Sequence, residues 1–572
     1  MSSICFVVTT PFTVNGFLLE HLRELSKEHE VTLCMNFSLY DRSPALATYN
    51  IRMIDVPLER KISLFADIKA FCILYWIFIK NRFDAIHSVT PKAGLLAMTA
   101  ALASGTPNRF HTFTGQVWAN YQGLRRAFFK TIDRLIVLAS SQTFADSPSQ
   151  ISYLVEQSVA KKNGISILGS GSISGVNLAR FKSDSQVRHQ LRSEYGTNED
   201  TCVYLFVGRL CKDKGILDLL QAFKKIDQKS GKVALWIVGP DEEGIEAQVS
   251  QNTDLGSPHI VWMGPTFSPE RYMTAADVLV LPSYREGFGS VIIEAAACGV
   301  PAIAYRIPGV IDAVIEQLTG LLCSVGSVEE LYKAMLFMLT DKSARIRLGK
   351  QAQIYAKEKF SSILVTQAWL NFYRKVKTRK QLHSQQLKRV IDLVLSVIAL
   401  VVFAIPIFLV WICVLVTSGR PVLYWSTRIG ENNEPFQMPK FRTMSTNTPA
   451  LATHLLHDPS SHLTVLGGFL RKISLDELPQ LWSILSGSMS FVGPRPALFN
   501  QTDLIEMRTA LGIDLLKPGL TGWAQVNGRD ELGLSEKVAY DLEYLNRQST
   551  PFDIYIMWLT FLKVIRRDGV SH

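Results

Sequence analysis

Two stretches of the sequence set acids beside cations in patterns suited to phosphate chemistry. In "RKISLDELPQLWSILSGSMSFVGPRP", Asp476 and Glu477 are adjacent. Consecutive helical residues point about 100° apart, so both reach one centre only near a helix end. Paired acids of this kind suit a metal ion plus a carboxylate nucleophile. A bare "DE" is ordinarily a solvated helix start, but cations surround this one in sequence: Lys440 and Arg442 in "KFRTM", Arg495 in "GPRP" and Arg529 in "NGR". That set suits a phosphate-handling site. In "REGFGSVIIEAAACGVPAIA", Glu286 and Glu294 flank a glycine turn that opens a helix, whose free N–H groups suit a phosphate or a sugar hydroxyl. Two glutamates at this spacing are usually solvated helix charges. Upstream, however, "VGRLCKDKG" ends a strand with Arg209 and Lys214, two cations placed to hold a diphosphate leaving group.

These residues need scaffolds. From Ile4 to about Tyr373, apolar runs such as "ICFVVTT", "VTLCM", "DAIHSV", "CVYLFVGRL", "VALWIVG" and "DVLVLPS" alternate with helical patterns. Strands apolar on both faces and separated by helices belong to parallel sheets covered on both sides. That span is too long for one such sheet. The polar stretch from Phe181 to Thr201 divides it, predicting two doubly wound domains, 1–185 and 186–375, facing each other across a cleft. A basic linker, 376–388, precedes a long apolar stretch, and from Gly419 the α/β alternation is lost. The formal charge of +10 favours anionic partners, namely phosphorylated substrates or lipid headgroups. No nucleic-acid-binding signature is present. Eight scattered cysteines without a CxxC pair suit reduced thiols in the cytoplasm, and "SSICFVVTT" reads as a buried strand rather than a signal peptide.

With the glycine turn "TVNGF" (Asn15, Gly16), "HSVTPKAGLLA", "GVN" and the paired glutamates, residues 1–375 resemble the retaining GT-B glycosyltransferases that use nucleotide sugars. The resemblance implies that Gly16 belongs to the nucleotide-sugar site. It implies that Arg209 and Lys214 stabilise the departing nucleotide diphosphate, that Glu294 holds the ribose, that Glu286 lies by the donor sugar, and that no metal is needed. One departure concerns the acceptor side. Thr114 stands where many relatives carry a histidine, and His111, three residues earlier, either faces the cleft or packs at a strand end.

The region from about Lys388 onward resembles the monotopic phosphoglycosyl transferases, or bacterial sugar transferases, through "KRVIDLVLS", "KFRTM", "SLDELPQLW", "SFVGPRP", "KPGLTGWAQVNGR" and "AYDLEYL". The implied fold is a small membrane-embedded α/β domain with a re-entrant helix hairpin. Asp476 is then the nucleophile on the β-phosphate of a UDP-sugar, and Glu477 a magnesium ligand or proton handler. Asp541 completes an acidic Mg2+ site with Asp476 and Glu477. Arg495 and Arg529 contact phosphate or nucleotide, and Lys440 and Arg442 lie on the lipid or acceptor side, with Lys440 facing either the active site or a headgroup. The implied partners are UDP-sugars, undecaprenyl phosphate, a polyprenyl-diphosphate-sugar and membrane lipids, and a homodimer is plausible.

Pro406 interrupts the apolar stretch Leu393 to Val416. Alone, it fits a kinked spanning helix. Both flanking chemistries consume cytoplasmic nucleotide sugars, however, and basic residues lie at both ends (Lys388, Arg389; Arg420, Arg428). These features favour 389–418 entering and leaving by one face, with 419–572 as the catalytic domain. The expectation is a bifunctional, monotopic enzyme on the cytoplasmic face of a bacterial inner membrane. The competing expectations are a C-terminal region that only anchors a single glycosyltransferase, or a glycosyltransferase acting on a later, unrelated acceptor. Two helices also read as candidate surface contacts: "AFCILYWIFIK" beside Arg125, Arg126 and Lys130, and the tail "WLTFLKVIRRDG".

Overall fold

A computed structural model describes residues 2–39, 46, 48–59, 63–228, 230–251, 256–446, 462–528 and 532–566, with the side chains of all of these except 379–385 and 564–566. The chain forms two compact units, Met1–Arg379 and Lys380–His572.

The first unit contains two parallel sheets. One has the order β3-β2-β1-β4-β5-β6-β7, built from β1 (Ser3–Val7), β2 (Glu30–Met35), β3 (Ile51–Asp55), β4 (Ala85–Val89), β5 (Asn108–Phe113), β6 (Gln142–Ala145) and β7 (Ile165–Ser166). The other has the order β10-β9-β8-β11-β12-β13, from β8 (Cys202–Val207), β9 (Val233–Val238), β10 (Ile260–Gly264), β11 (Val278–Leu281), β12 (Ala302–Tyr305) and β13 (Gly320–Cys323). The apolar runs read from sequence fall on β1, β2, β4, β8, β9 and β11, whose residues are almost all buried; β5 and β12 are also internal and are not among them. In both sheets the strand order reverses at the middle, between β1 and β4 and between β8 and β11. Ligands of open α/β sheets bind outside the carboxyl ends of strands at such points.

The helix Ser362–Lys375 does not stay with the second sheet, where the sequence reading counts it. Trp369, Leu370 and Tyr373 are buried in the core of the first sheet, His21 stacks on Trp369 with ring centroids 4.7 Å apart, and Arg374 pairs with Glu28 at 2.5 Å.

In the second unit, helices Arg379–Val402 and Ala404–Ser418 meet at an angle of 61°. The bend falls at Phe403, one turn before Pro406. Proline has no N–H for the carbonyl of Val402 and its ring crowds that carbonyl. The bonds on either side persist, Phe403 N–H to the Ala399 carbonyl and Ile407 N–H to Phe403, both 2.8 Å. The second arm has 15 residues. At 1.5 Å per residue it is about 22 Å long, short of the ~30 Å hydrocarbon core. Among the described residues no single helix is long and apolar enough to cross a membrane. Around the hairpin lie an antiparallel pair, β14 (Leu423–Ile429) and β15 (Pro435–Phe441), a short parallel pair, β16 (Ser490–Val492) and β17 (Gly519–Thr521), and several helices.

Candidate active sites

At the carboxyl ends of β8 and β11, the second sheet presents Arg209 and the loop carrying Glu286. Lys214 Nζ lies 2.5 Å from Glu286 Oε1, so the expected diphosphate cation and the expected sugar-side glutamate form one pair. Arg209 is held by Glu242, also at 2.5 Å. The turn is glycine for a steric reason: a Cβ at Gly287 would stand 2.6 Å from Asp146 Oδ2 and 2.6 Å from the Thr114 carbonyl. The donor-side turn is thus pressed against Thr114 and Asp146 of the first sheet. Gln150 Nε2 donates to the Glu286 carbonyl at 2.8 Å, and the Ser149 N–H to Asp312 at 2.9 Å, across the same seam. Glu294, in the helix Ser290–Ala297, is half-buried, and desolvation pushes its carboxyl up to about 7. Gly16 is exposed after β1, with no atom within 4 Å of where a Cβ would stand.

His111 does not face the cleft. It is buried on β5, Nδ1 lies 2.9 Å from Ser88 Oγ, and a Cβ on Gly94 would touch its ring at 2.5 Å. Burial pushes it down to about 3, which leaves a neutral packing residue. The residue that sequence reasoning missed is Asp146. It is buried, its Oδ1 has no hydrogen-bond partner among the described residues, and desolvation pushes it up to about 8. Its only sequence mark is its place between β6 and the Ser147-Pro148 helix start.

In the second unit, Asp476 and Glu477 sit on a single 3-10 turn, Leu475–Glu477, just before the helix Gln480–Ser486. The helix-end geometry that brings adjacent acids to one centre is therefore present. Lys440 on β15 reaches Glu477 at 2.7 Å, and Arg495 lies 3.9 Å from the same oxygen. Lys440 thus faces the dyad. Asp476 is buried; desolvation raises its carboxyl above the ordinary value, Glu477 adds to the rise, and Lys440 and Arg471 oppose it. Arg428 is pushed down to about 10, first by burial and then by repulsion from Arg495. Crowded cations of this kind favour an anion among them.

Two expected placements differ. Arg442 is buried, and its guanidinium donates to the carbonyls of Ser418, Gly419 and Arg420, so it closes the end of the hairpin's second arm instead of facing lipid. Asp541 does not join the dyad. It pairs with Arg508 at 2.6 Å, and Arg508 donates to the Arg495 carbonyl at 2.9 Å. Among the described residues no group of three His, Cys, Asp or Glu is placed to hold a metal ion. Arg529 lies outside the described residues.

The hairpin and the dyad share their packing. Ile407, Val410 and Val414 of the second arm cluster with Leu470, Leu475 and Leu478. Ala399 and Leu400 of the first arm cluster with Leu481 and Ile484. At the base, Arg389 donates to the Ile484 and Leu485 carbonyls at 2.5 and 2.8 Å, and Lys388 pairs with Asp553 at 2.6 Å.

Three family models match the chain, two in the first unit and one in the second. Residues 15–168 match the glycosyl transferase 4-like domain, 187–355 the glycosyl transferases group 1, and 383–567 the bacterial sugar transferases. The capsular polysaccharide biosynthesis glycosyltransferase CapM of Staphylococcus aureus is 30% identical over 56% of this chain and 83% of its own length. The sugar transferase EpsL of Bacillus subtilis is 37% identical over 32% of this chain and 90% of its own. The chain belongs to both families, as a group 1 glycosyltransferase fused to a bacterial sugar transferase. It is a transferase with two sugar-transfer units, a bifunctional enzyme of glycan assembly. The UDP-glucose:undecaprenyl-phosphate glucose-1-phosphate transferase of Escherichia coli is 38% identical, with this chain spanning 40% of its length. Among solved structures, HepE of Anabaena in complex with UDP and glucose superposes with a TM-score of 0.55 at 18% identity, over 66% of this chain and all of that one. Sucrose-phosphate synthase of Thermosynechococcus elongatus gives 0.56 at 21%, over 65% of this chain and 98% of that one. These likenesses establish the GT-B fold of the first unit.

Proposed function

We propose that the second unit transfers a sugar 1-phosphate from a UDP-sugar to undecaprenyl phosphate, and that the first unit then adds a second sugar to the polyprenyl-diphosphate-sugar. The observation that carries this reading is the direct packing of the dyad's turn on an apolar, bent helix pair. On this reading, a buried carboxylate would lie where a membrane surface meets a cluster of cations.

In the first step an Asp476 oxygen bonds to the β-phosphorus, the diphosphate P–O bond breaks, and UMP leaves with the electron pair. In the second, an oxygen of the lipid phosphate bonds to the same phosphorus and frees Asp476. Splitting the transfer lowers each barrier. Lys440 and Arg471 draw the Asp476 carboxyl back down against desolvation, and Arg495 and Arg428 receive the phosphate oxygens. The two adjacent carboxylates fit Mg2+, which is commonly held by one or two carboxylates and completed by substrate phosphates. Glu477 with Asp476 would hold it, and it would offset the diphosphate charge. Asp541, committed to Arg508, has no part in that set. In the first unit, Arg209 and Lys214 exchange their carboxylate partners for the leaving diphosphate, and Glu294 takes the ribose.

The bent pair is read as re-entrant, so both units work on the cytoplasmic face of the inner membrane. Fusion then raises the effective concentration of the membrane-held product at the first unit. Purified full chain with a labelled UDP-sugar and undecaprenyl phosphate is expected to release UMP, and Asp476→Asn to abolish it. Adding a second nucleotide sugar is expected to give a disaccharide product. Absence of UMP from every UDP-sugar would leave the second unit as an anchor only.

A further inference from the structure

We propose that the outer face of the helical layer on the first sheet is a docking surface for anionic phospholipid, separate from the hairpin of the second unit. The helices Leu64–Asn81, Pro91–Ala103 and Gly123–Ala139 cover one face of that sheet and share one core, to which they give Ala70, Leu74 and Phe78, Ala97, and Ile136 and Ala139 respectively. Their opposite sides are not polar. On the first helix Phe65, Ile68, Cys72, Trp76 and Ile79 are exposed at helical spacing, with Phe65 at 87% and Trp76 at 66%. On the third, Leu124 (90%), Phe128, Leu135 and Leu138 (76%) form a second stripe. Single exposed apolar residues are ordinary, but two such stripes on one layer are not.

The charges identify the occupant. The third helix carries Arg125, Arg126, Lys130 and Arg134, and none of the four is paired with a carboxylate among the described residues. Its one acid, Asp133, is buried and accepts from Trp118 Nε1 at 2.7 Å. The first helix carries Lys69 and Lys80, and its one acid, Asp67, is taken by Lys92 at 2.6 Å. Apolar stripes edged by uncompensated cations fit a bilayer with anionic headgroups, with the stripes about 5–10 Å into the headgroup and acyl boundary. A protein partner of matching shape would need a surface both apolar and acidic.

Cys72 lies in the first stripe, and besides Cys413 every other cysteine is buried. The test places a nitroxide on Cys72 of the full chain in a Cys413→Ser background and measures collisions with oxygen and with a water-soluble nickel chelate. In vesicles containing phosphatidylglycerol, the label should gain oxygen contact and lose nickel contact several-fold relative to lipid-free amphipol. High salt, or combined Arg125→Gln, Arg126→Gln and Lys130→Gln, should reverse that change. Equal, water-like accessibility in vesicles and amphipol would overturn the proposal. So would equal shielding in both, which would mean that a second copy or another protein covers the face. The reading is independent of turnover. UMP release from the same samples reports on the second unit alone, so loss of either result leaves the other interpretable.

Discussion

Removing Arg508 tests whether Asp541 is structural or a metal ligand. Asp541 is only 2% exposed and Arg508 13%, and they are joined by bonds of 2.6 and 3.0 Å. Arg508→Met strands a buried carboxylate, for which a loss of about 3–5 kcal/mol is typical. That is roughly two to four powers of ten in the opening equilibrium. Asp541→Asn keeps an acceptor for the guanidinium and should cost less, about 1–3 kcal/mol. Removing both as Arg508→Met with Asp541→Leu should recover part of the loss, because no charge remains buried. The pH dependence has a definite sign. Burial holds the Asp541 carboxyl above its ordinary value of 3.8, and Arg508 draws it back. A folded-state value above the unfolded one means that stability falls as pH rises through the interval between them. Without Arg508 that interval widens, so the deficit of Arg508→Met is greatest at neutral pH and vanishes below the ordinary carboxylate value. Native-state hydrogen exchange in the helix Leu534–Arg547 reads the opening free energy on the full chain. UMP release should fall alongside it, because Arg508 also fixes the Arg495 carbonyl. An Asp541→Asn protein with unchanged protection but an order-of-magnitude higher Mg2+ requirement would refute this account and return Asp541 to the metal site.

Three further outcomes follow from single contacts. Glu294, held up to about 7 by burial, is proposed to accept two ribose hydroxyls as the ionised carboxylate; calorimetric affinity of the full chain for UDP should therefore rise as pH passes upward through that value, and Glu294→Gln should flatten the curve. Gly287→Ala puts a methyl 2.6 Å from both Asp146 and the Thr114 carbonyl, so the seam must open; second-sugar transfer should drop at least tenfold, about 1.4 kcal/mol in the barrier, with UMP release unchanged. Arg442→Met leaves the carbonyls that end the second hairpin arm without their donor, a loss of about 1.5–3 kcal/mol for a charged bond; UMP release should fall while transfer to a preformed lipid-linked acceptor persists.

Legibility followed sequence distance. Six inner strands were readable because a strand buried on both faces is a continuous apolar run, whereas β5, equally internal, reads Asn-Arg-Phe-His-Thr-Phe and carries no such run. β7, β16 and β17, two or three residues each, carry no such pattern. Glu286, Arg209 and Lys214 were readable because each sits just past a strand at a point of reversed order. Asp146 was not, because its burial and its approach to Gly287 beyond the other sheet exist only in the assembled fold. The pairing of Asp541 with Arg508, 33 positions away, was equally hidden. Composition alone could not tell an aspartate that meets a metal from one that meets a guanidinium. Lys440 and Arg442 make the same point at close range. They are two residues apart on or beside β15, yet one reaches Glu477 and the other three backbone carbonyls at a helix end.

Pro406 acts one turn back, as its missing N–H and its ring require. It bends the apolar stretch at Phe403, beside the Val402 carbonyl that it leaves without a donor. The position of the bend has a consequence for catalysis. It divides the stretch so that the first arm ends on the residues packing against Leu481 and Ile484, and the second begins with those packing against Leu475 and Leu478. These four residues bracket Asp476 and Glu477 in sequence. Leu478, the residue just after the dyad, belongs to both clusters and so packs with both arms. The bent pair therefore packs directly beneath the turn that carries Asp476 and Glu477, and in the proposed mechanism the same contacts would hold the nucleophile and the membrane-facing helices together. Straightening it with Pro406→Ala should lower UMP release even where the protein remains membrane-bound. Full UMP release from a straightened, membrane-bound variant would reduce the hairpin to an anchor.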